Sequence, residues 1–451
     1  MVRLFFPPDS AFLVNAPSPR LWGLPVRRRS ILIVFSVQLA ALHSANGQSF
    51  DEFSERRSPS HFRLQSGDLS LTLKGEVELE LHDLQGSGGA THDSPTDTRT
   101  LGTRSPFVEI DAFWLALRFA FADQLAINSI LEFDQSGARI GAVYFSGKLR
   151  WPERLEHRFE AGLHTPFVKV ERRTERYPLI GTIYWRHPEF HITYNARLRL
   201  ARETGIALGV SVAIMRPLAF LPVQESSSQQ GTINLLGYGP ARFFSGNGPV
   251  YGARFHAHTH GAYATLFGFL GSLSAEAGTD ELRNNFSRFQ DLPGYNSEDK
   301  QQQDTTFYWA GLRTGYDGYG FHFLAEAIFS RESLLQRQGF YAQLSYELEL
   351  RPEKKLFCTI ELLTRYERYR LKDTTVVLDD DGALRSPAPS EAITWDYDIA
   401  TAALIVTIYR QLLRLRFEYY WVGEANGVPA LGIANSPLKN DELLVQLELR
   451  F

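Results

Sequence analysis

The 451-residue sequence predicts an all-β fold: a transmembrane antiparallel β-barrel of about 16 strands. Three observations predict it. Segments of roughly ten residues alternate apolar and polar side chains, about what a tilted strand needs to cross a bilayer. The last such segment, Lys439 to Phe451, ends the chain on an aromatic residue, and the connections between segments alternate short with long.

The amino-terminal stretch is read first and set apart. Arg27, Arg28 and Arg29 precede an apolar run from Ile31 to Leu42 that leads into Ala45-Asn46-Gly47. The run is well short of the ~20 residues of a spanning helix, and small residues follow it, so residues 1–47 are expected to be a secretory signal cut before Gln48. Pro7, Pro8, Pro17, Pro19 and Pro25 crowd the part ahead of Arg27, which reads as an over-long start. Residues 48–68 are expected to form a periplasmic extension, and residues 69–451 the barrel.

Without residues 1–47, which hold five arginines and Asp9, the 47 basic and 51 acidic residues become 42 and 50, a net charge of −8. That balance gives no footing for nucleic acid. The one cysteine, Cys358, excludes an intrachain disulfide framework. The 32 Phe, 19 Tyr and 7 Trp suit aromatic girdles at two membrane interfaces.

Sixteen segments can be placed, beginning near residues 69, 107, 125, 140, 155, 191, 205, 249, 262, 305, 320, 339, 356, 393, 412 and 441. In the first, Leu69, Leu71, Leu73, Val77, Leu79 and Leu81 alternate with Ser70, Thr72, Lys74, Glu76, Glu78, Glu80 and His82. Strand side chains point alternately to opposite faces, so this suits a wall with lipid on one side and water on the other. The second changes phase around Asp111 to Phe113, as a β-bulge would. The tenth and thirteenth alternate poorly. In the last, Leu443, Val445, Leu447, Leu449 and Phe451 oppose Gln446, Glu448 and Arg450. Connections after even-numbered segments are short and most after odd-numbered ones are long, so the short turns and both termini are expected in the periplasm and the long loops outside.

The third external loop, Thr165 to Phe190, is expected to fold into the lumen, as it commonly does in sixteen-stranded porins. It carries Lys169, Arg172, Arg173, Arg176 and Arg186, while Lys148, Arg150, Arg158, Arg197 and Arg199 lie on the polar faces of neighbouring strands. From Arg139 to Arg199 there are 12 basic and 6 acidic residues, inside an acidic chain. Cations lining a water-filled constriction raise the local anion concentration, and guanidinium forks can grip phosphate or carboxylate in bidentate fashion. The competing readings are salt bridges to Glu153, Glu156, Glu160, Glu171 and Glu175, or loop arginines that bind lipopolysaccharide phosphates outside.

The end of the fifth segment, Ala161-Gly162-Leu163-His164-Thr165-Pro166-Phe167, followed by a basic loop, resembles the phosphate-selective porin O/P family. Arg202-Glu203-Thr204-Gly205-Ile206 is similar to that family's Arg-Asp-x-Gly-Val/Ile turn, and the final strand is similar too. The resemblance covers Leu69 to Phe451 and implies an outer-membrane channel. The family has a glycine near Ala161 and a lysine near His164, and both differ here. A histidine is only partly charged at neutral pH, so a porin-like channel is implied more than phosphate selectivity.

Other constellations are weaker. Arg254, His256, His258 and His260 share one face of the eighth segment, but imidazoles two apart on a strand sit ~7 Å from each other, too wide for one ion to bind three in a row. Asp379, Asp380 and Asp381 lack the remaining spacing of a calcium loop. The row Glu76, Glu78 and Glu80 reads as wall paired with neighbouring cations. There is no Gly-x-Ser-x-Gly elbow and no His-Glu-x-x-His motif.

The expected function is a passive, anion-preferring outer-membrane channel for phosphate or other small anions, with no cofactor and no catalysis. A structural or adhesive barrel, and then an outer-membrane enzyme, are the alternatives. Lys148, His164, Lys169, Arg172, Arg173, Arg176, Arg197 and Arg199 are the candidate pore-lining residues. Expected partners are outer-membrane lipid and lipopolysaccharide, small anionic solutes, and the barrel-assembly machinery through Phe451; a homotrimer is left open.

Overall fold

A computed structural model of the chain describes residues 62–84, 106–122, 124–134, 137–151, 154–170, 173–185, 188–200, 205–224, 234–240, 248–272, 306–332, 335–350, 357–372, 396–408, 412–425 and 441–451. It also describes three short strands, Val2–Phe5, Ala11–Val14 and Leu32–Phe35.

Sixteen strands form the wall. They are β1 Leu69–Leu84, β2 Phe107–Phe121, β3 Leu125–Asp134, β4 Gly137–Arg150, β5 Leu155–His164, β6 Glu189–Arg199, β7 Ala207–Met215 and β8 Val250–Thr259. The second half comprises β9 Ala262–Ser272, β10 Thr306–Gly318, β11 Phe321–Glu332, β12 Leu335–Glu349, β13 Phe357–Lys372, β14 Asp396–Ile408, β15 Leu413–Ala425 and β16 Glu442–Arg450. Each pairs antiparallel with the next, and β16 returns to β1 with Glu442 opposite Leu84 and Arg450 opposite Glu76. The sheet therefore has no open edge along this seam.

The two faces are inverted relative to a water-soluble protein. In β16, Leu443, Leu447 and Leu449 are exposed on the outside, while Glu442, Gln446 and Glu448 are 0 % exposed on the inside. Phe145, Phe159, Tyr194, Val210, Phe255, Leu266, Leu312, Leu344 and Leu362 continue the exposed apolar belt around the wall. A closed barrel satisfies its backbone without water, and only a hydrocarbon surround favours such a belt. This is a wall for the bacterial outer membrane. No helix among the described residues is long and apolar enough to cross a membrane, so the strands do the crossing.

All sixteen segments read from the sequence are strands. The phase change in the second is a bulge: Glu78 faces Ala112 and Leu79 faces Ile110, leaving Asp111 as the extra residue. A second bulge in β4, between the Ile130–Ala142 and Leu131–Ile140 pairs, gave no comparable signal. The connection after β7 contains a hairpin, Leu218–Gln224 with Asn234–Pro240, that stands outside the barrel sheet.

At the seam the chain covers β1 twice. Phe451 and Gly75 exchange backbone hydrogen bonds, and the strand Phe62–Ser66 pairs with Leu69–Leu73 just beyond. The edge of β1 is thus covered end to end by the last strand and by the segment that precedes β1.

The third external loop, after β5, enters the barrel. Its helix α1, Leu179–Trp185, is buried at every residue. It packs with Phe167, Val168 and Val170 against Phe267, Phe269, Trp309, Ile328, Tyr341, Tyr369 and Ile399, which point inward from β9 to β14. The half of the lumen away from Phe451 therefore has an apolar filling between loop and wall.

Candidate functional site: the lumen and its third loop

Wall groups from β8, β10, β11, β13 and β15 hold the loop. Arg254 of β8 donates to the Phe167 carbonyl at 2.7 Å, and Arg313 of β10 to the Val168 carbonyl. From β13, Arg365 donates to Thr174 Oγ1 at 2.6 Å and to the Arg176 carbonyl at 3.0 Å. The Glu175 amide donates to the Glu418 carboxylate of β15 at 2.9 Å, and the Leu179 amide at the start of α1 donates to Glu367 of β13 at 2.6 Å. That carboxylate serves one of the amides a helix start leaves without an internal partner. Tyr184 donates to Glu332 of β11 at 2.7 Å, as a neutral phenol whose pKa burial pushes well above its usual value.

The loop's cations meet carboxylates of the wall. Arg173 binds Glu361 at 2.8 Å, with Asp317 at 3.8 Å, and Arg176 pairs with Glu442 of β16. Lys169 stands 6.0 Å over the ring of Tyr177. Glu175 accepts from Arg416 at 3.2 Å and from Gln446 at 2.5 Å. Of the glutamates that the sequence offered as salt-bridge partners for the basic residues of loop and strands, Glu156 and Glu160 pair with strand cations, whereas Arg173 and Arg176 of the loop draw their partners from distant strands. Arg172, Arg186, Glu153 and Glu171 lie outside the described residues, as do Asp379, Asp380 and Asp381.

His164 is buried in the wall, its ring 3.7 Å from that of His191 and 4.7 Å from that of Tyr144. Its Nδ1 donates to the Thr165 carbonyl at 3.1 Å. The imidazole supports the turn into the loop.

Nearer the Phe451 end the lumen changes character. Arg118 of β2, Lys148 and Arg150 of β4, Arg158 of β5, and Arg197 and Arg199 of β6 project inward from adjoining parts of the wall. The pairs Lys148–Arg158 and Glu156–Arg197 face each other across strands. Within this arc Glu156 takes Lys148 at 3.2 Å and Arg150 at 3.1 Å, and Glu160 takes Arg158 at 2.9 Å. Arg197 contacts His258 of β8. Arg118 was missing from the candidates; its signal was its place on the polar face of β2 once the Asp111 bulge resets the phase. Across the lumen, Asp317, His322, Glu347 and Glu361 from β10 to β13 form an acidic counterpart, with His322 2.6 Å from Asp317.

Other residues singled out from sequence are accounted for by pairing. Arg254 and His256 point inward and are buried, and His256 bonds Thr265 at 2.9 Å. In the acidic row of β1, Glu76 binds Arg450 at 3.0 Å, and Glu80 accepts from Gln446 at 2.5 Å and meets His82 at 2.9 Å. His82 also reaches Glu442 at 2.8 Å.

No protein-family model and no curated protein matches the chain. Solved structures similar to it include the outer membrane channel DcaP of Acinetobacter baumannii, at 11 % identity over 86 % of this chain and 99 % of that one, with a TM-score of 0.47. An anion-selective porin from Comamonas acidovorans shares 11 % identity over 85 % of this chain and all of that one, at 0.47. Salmonella typhi OmpF, in complex with daunomycin, shares 12 % over 86 % of this chain and all of that one, at 0.49. At these scores the strand pairing, and not the likeness, carries the fold assignment.

Proposed function

We propose that the chain is a passive outer-membrane channel preferring small anions, with residues 1–47 as its export signal and the short turns in the periplasm. The observation that carries the anion preference is the inward arc of Arg118, Lys148, Arg150, Arg158, Arg197 and Arg199, in which Glu156 is shared between Lys148 and Arg150 and Glu160 pairs with Arg158. Charge on a low-dielectric wall facing a narrow aqueous path acts on a passing ion more strongly than charge in bulk water. In this reading the wall arc, more than the third loop, sets selectivity, because Arg173 and Arg176 already face Glu361 and Glu442. Phosphate, sulfate and carboxylates fit the same guanidinium geometry, so the class of solute is small oxyanions.

One observation favours a second reading, a barrel without conductance: α1 is buried on all sides and fills the lumen's far half. Planar-bilayer recording of the refolded full chain separates the two. Discrete ohmic steps with an anion-side zero-current potential in a salt gradient support the channel. Replacing Lys148, Arg197 and Arg199 by glutamate then moves that potential toward cations; an unchanged potential removes the arc from the permeation path, and silence at all voltages favours the closed barrel.

A further inference from the structure

The outer face carries a cluster of arginines at one end of its apolar belt. Among the described residues of the sixteen strands, arginines on the outward face occur at one place, where Arg331 of β11 and Arg368 and Arg370 of β13 flank Gln336 and Gln338 of β12. The register sets Arg331 opposite Gln336, Gln338 opposite Arg370, and Phe340 opposite Arg368. All lie at the ends of these strands away from Phe451.

The cluster is built. Asp398 of β14 accepts from Arg368 Nε at 2.7 Å, from the Tyr366 hydroxyl at 2.8 Å and from Arg370. Arg370 also donates to the carbonyls of Tyr369 at 2.9 Å and Tyr397 at 2.8 Å, which pins it to the wall. The Arg368 side chain stays 46 % exposed with its Nε held by Asp398. Phe329, Phe340 and Tyr366, all exposed, border the group on its membrane side.

Depth follows from strand geometry. The outward apolar run of β12 from Phe340 to Leu348 covers eight residue steps, about 27 Å along the strand and about 20 Å in height at a tilt of ~40°, against an apolar band of ~25 Å. Gln338, Arg368 and Arg370 therefore sit at the upper edge of that band, where aromatic residues give way to headgroups. An arginine facing hydrocarbon is unfavourable, and one facing headgroups has anionic oxygens to bind.

We infer that Arg331, Arg368 and Arg370 form a binding site for the phosphorylated headgroup of an outer-leaflet glycolipid. Asp398 sets the two β13 guanidinium groups side by side, and Gln336 and Gln338 offer amide donors between them and Arg331. The acyl chains lie over Phe329, Phe340 and Leu344. The inference rests on the long loops facing outside, which surface labelling of a tag at Ser94 tests independently.

The experiment is native mass spectrometry of the full chain, purified in non-ionic detergent and titrated with bisphosphorylated lipid A or with its dephosphorylated form. Wild type is expected to hold the bisphosphorylated lipid at least tenfold more tightly than an Arg331→Gln/Arg368→Gln variant, and the dephosphorylated lipid equally with it. Arg368→Lys should recover part of the difference. The heat-modifiable band reports folding; should the double variant fold poorly, Arg368→Gln alone, at an exposed side chain, serves in its place. Equal retention of the bisphosphorylated lipid by wild type and variant overturns the assignment. So does full competition by inorganic phosphate at equal concentration, which marks a site for free anion. A variant that loses its oligomeric mass while keeping its lipid also overturns it, assigning the patch to contact between copies of the chain.

Discussion

The ring of Phe451 lies over Gly75 of β1, and the two residues exchange backbone hydrogen bonds of 2.8 and 2.9 Å. A side chain at position 75 would occupy the space of that ring, which explains why the outward row of β1 passes from Leu73 to Val77 through a glycine. Gly75→Leu should reduce the heat-modifiable folded form several-fold, as should deletion of Phe451, since either leaves the seam of the barrel incompletely paired. Undiminished folding of both variants would disconnect this contact from closure.

Gly339 of β12 makes the corresponding allowance inside. A Cβ there would come within 3.0–3.1 Å of Ile180 on α1. Gly339→Leu should dislodge the helix while leaving the hydrogen-bonded wall intact, so single-channel conductance should rise with an unchanged folded yield. Conductance equal to wild type would mean that α1 does not limit the path.

Arg337 and Glu332, both 0 % exposed, face each other at 2.6 Å where β11 turns into β12. Arg337→Met removes the charge partner of a buried carboxylate that also receives the Tyr184 hydroxyl. Loss of one member of a buried pair costs about 3–5 kcal/mol, and removing both often costs far less. The midpoint of denaturant unfolding should therefore fall more for Arg337→Met than for Arg337→Met/Glu332→Gln. A double variant at least as unstable as the single would show that the pair is not coupled.

The pairing of Arg173 with Glu361 gives the proposed selectivity a sign that can be tested. Glu361→Gln takes away the carboxylate 2.8 Å from the guanidinium while Asp317 stays at 3.8 Å, so the zero-current potential in a salt gradient should move further toward anions. Movement toward cations, or none, would place Arg173 away from the ion path.

The wall was legible because its physics is local: each strand carries its own record of two solvents. The record failed where the inner solvent is not water. β10 alternated poorly because Phe307 and Trp309 point inward onto the third loop, and β13 because Leu363 and Tyr369 also point inward within an otherwise charged row. Helix α1 left no amphipathic signature, since Leu-Ile-Gly-Thr-Ile-Tyr-Trp is buried all round. The partners of Arg173 and Arg176 lie 188 and 266 positions away in sequence, at Glu361 and Glu442, and no spacing rule reaches that far. The inward arc of Lys148, Arg158, Arg197 and Arg199 was readable for the opposite reason, as each sits on the polar face of its own strand.

The third loop also imposes an order in time. It leaves the ribosome before any of β6 to β16 exists, yet its apolar helix has no partner until β9 to β14 are in place and its last ion pair waits for Glu442. Contacts this distant form late, after the long intervening chain has been confined. Filling the lumen and sealing the seam thus become a single terminal event, because β16 supplies both Glu442 for the loop and the edge that meets β1. A chain stalled short of β16 would present an unsealed edge and an undocked apolar helix together, two marks by which quality-control proteases could distinguish it from a finished barrel.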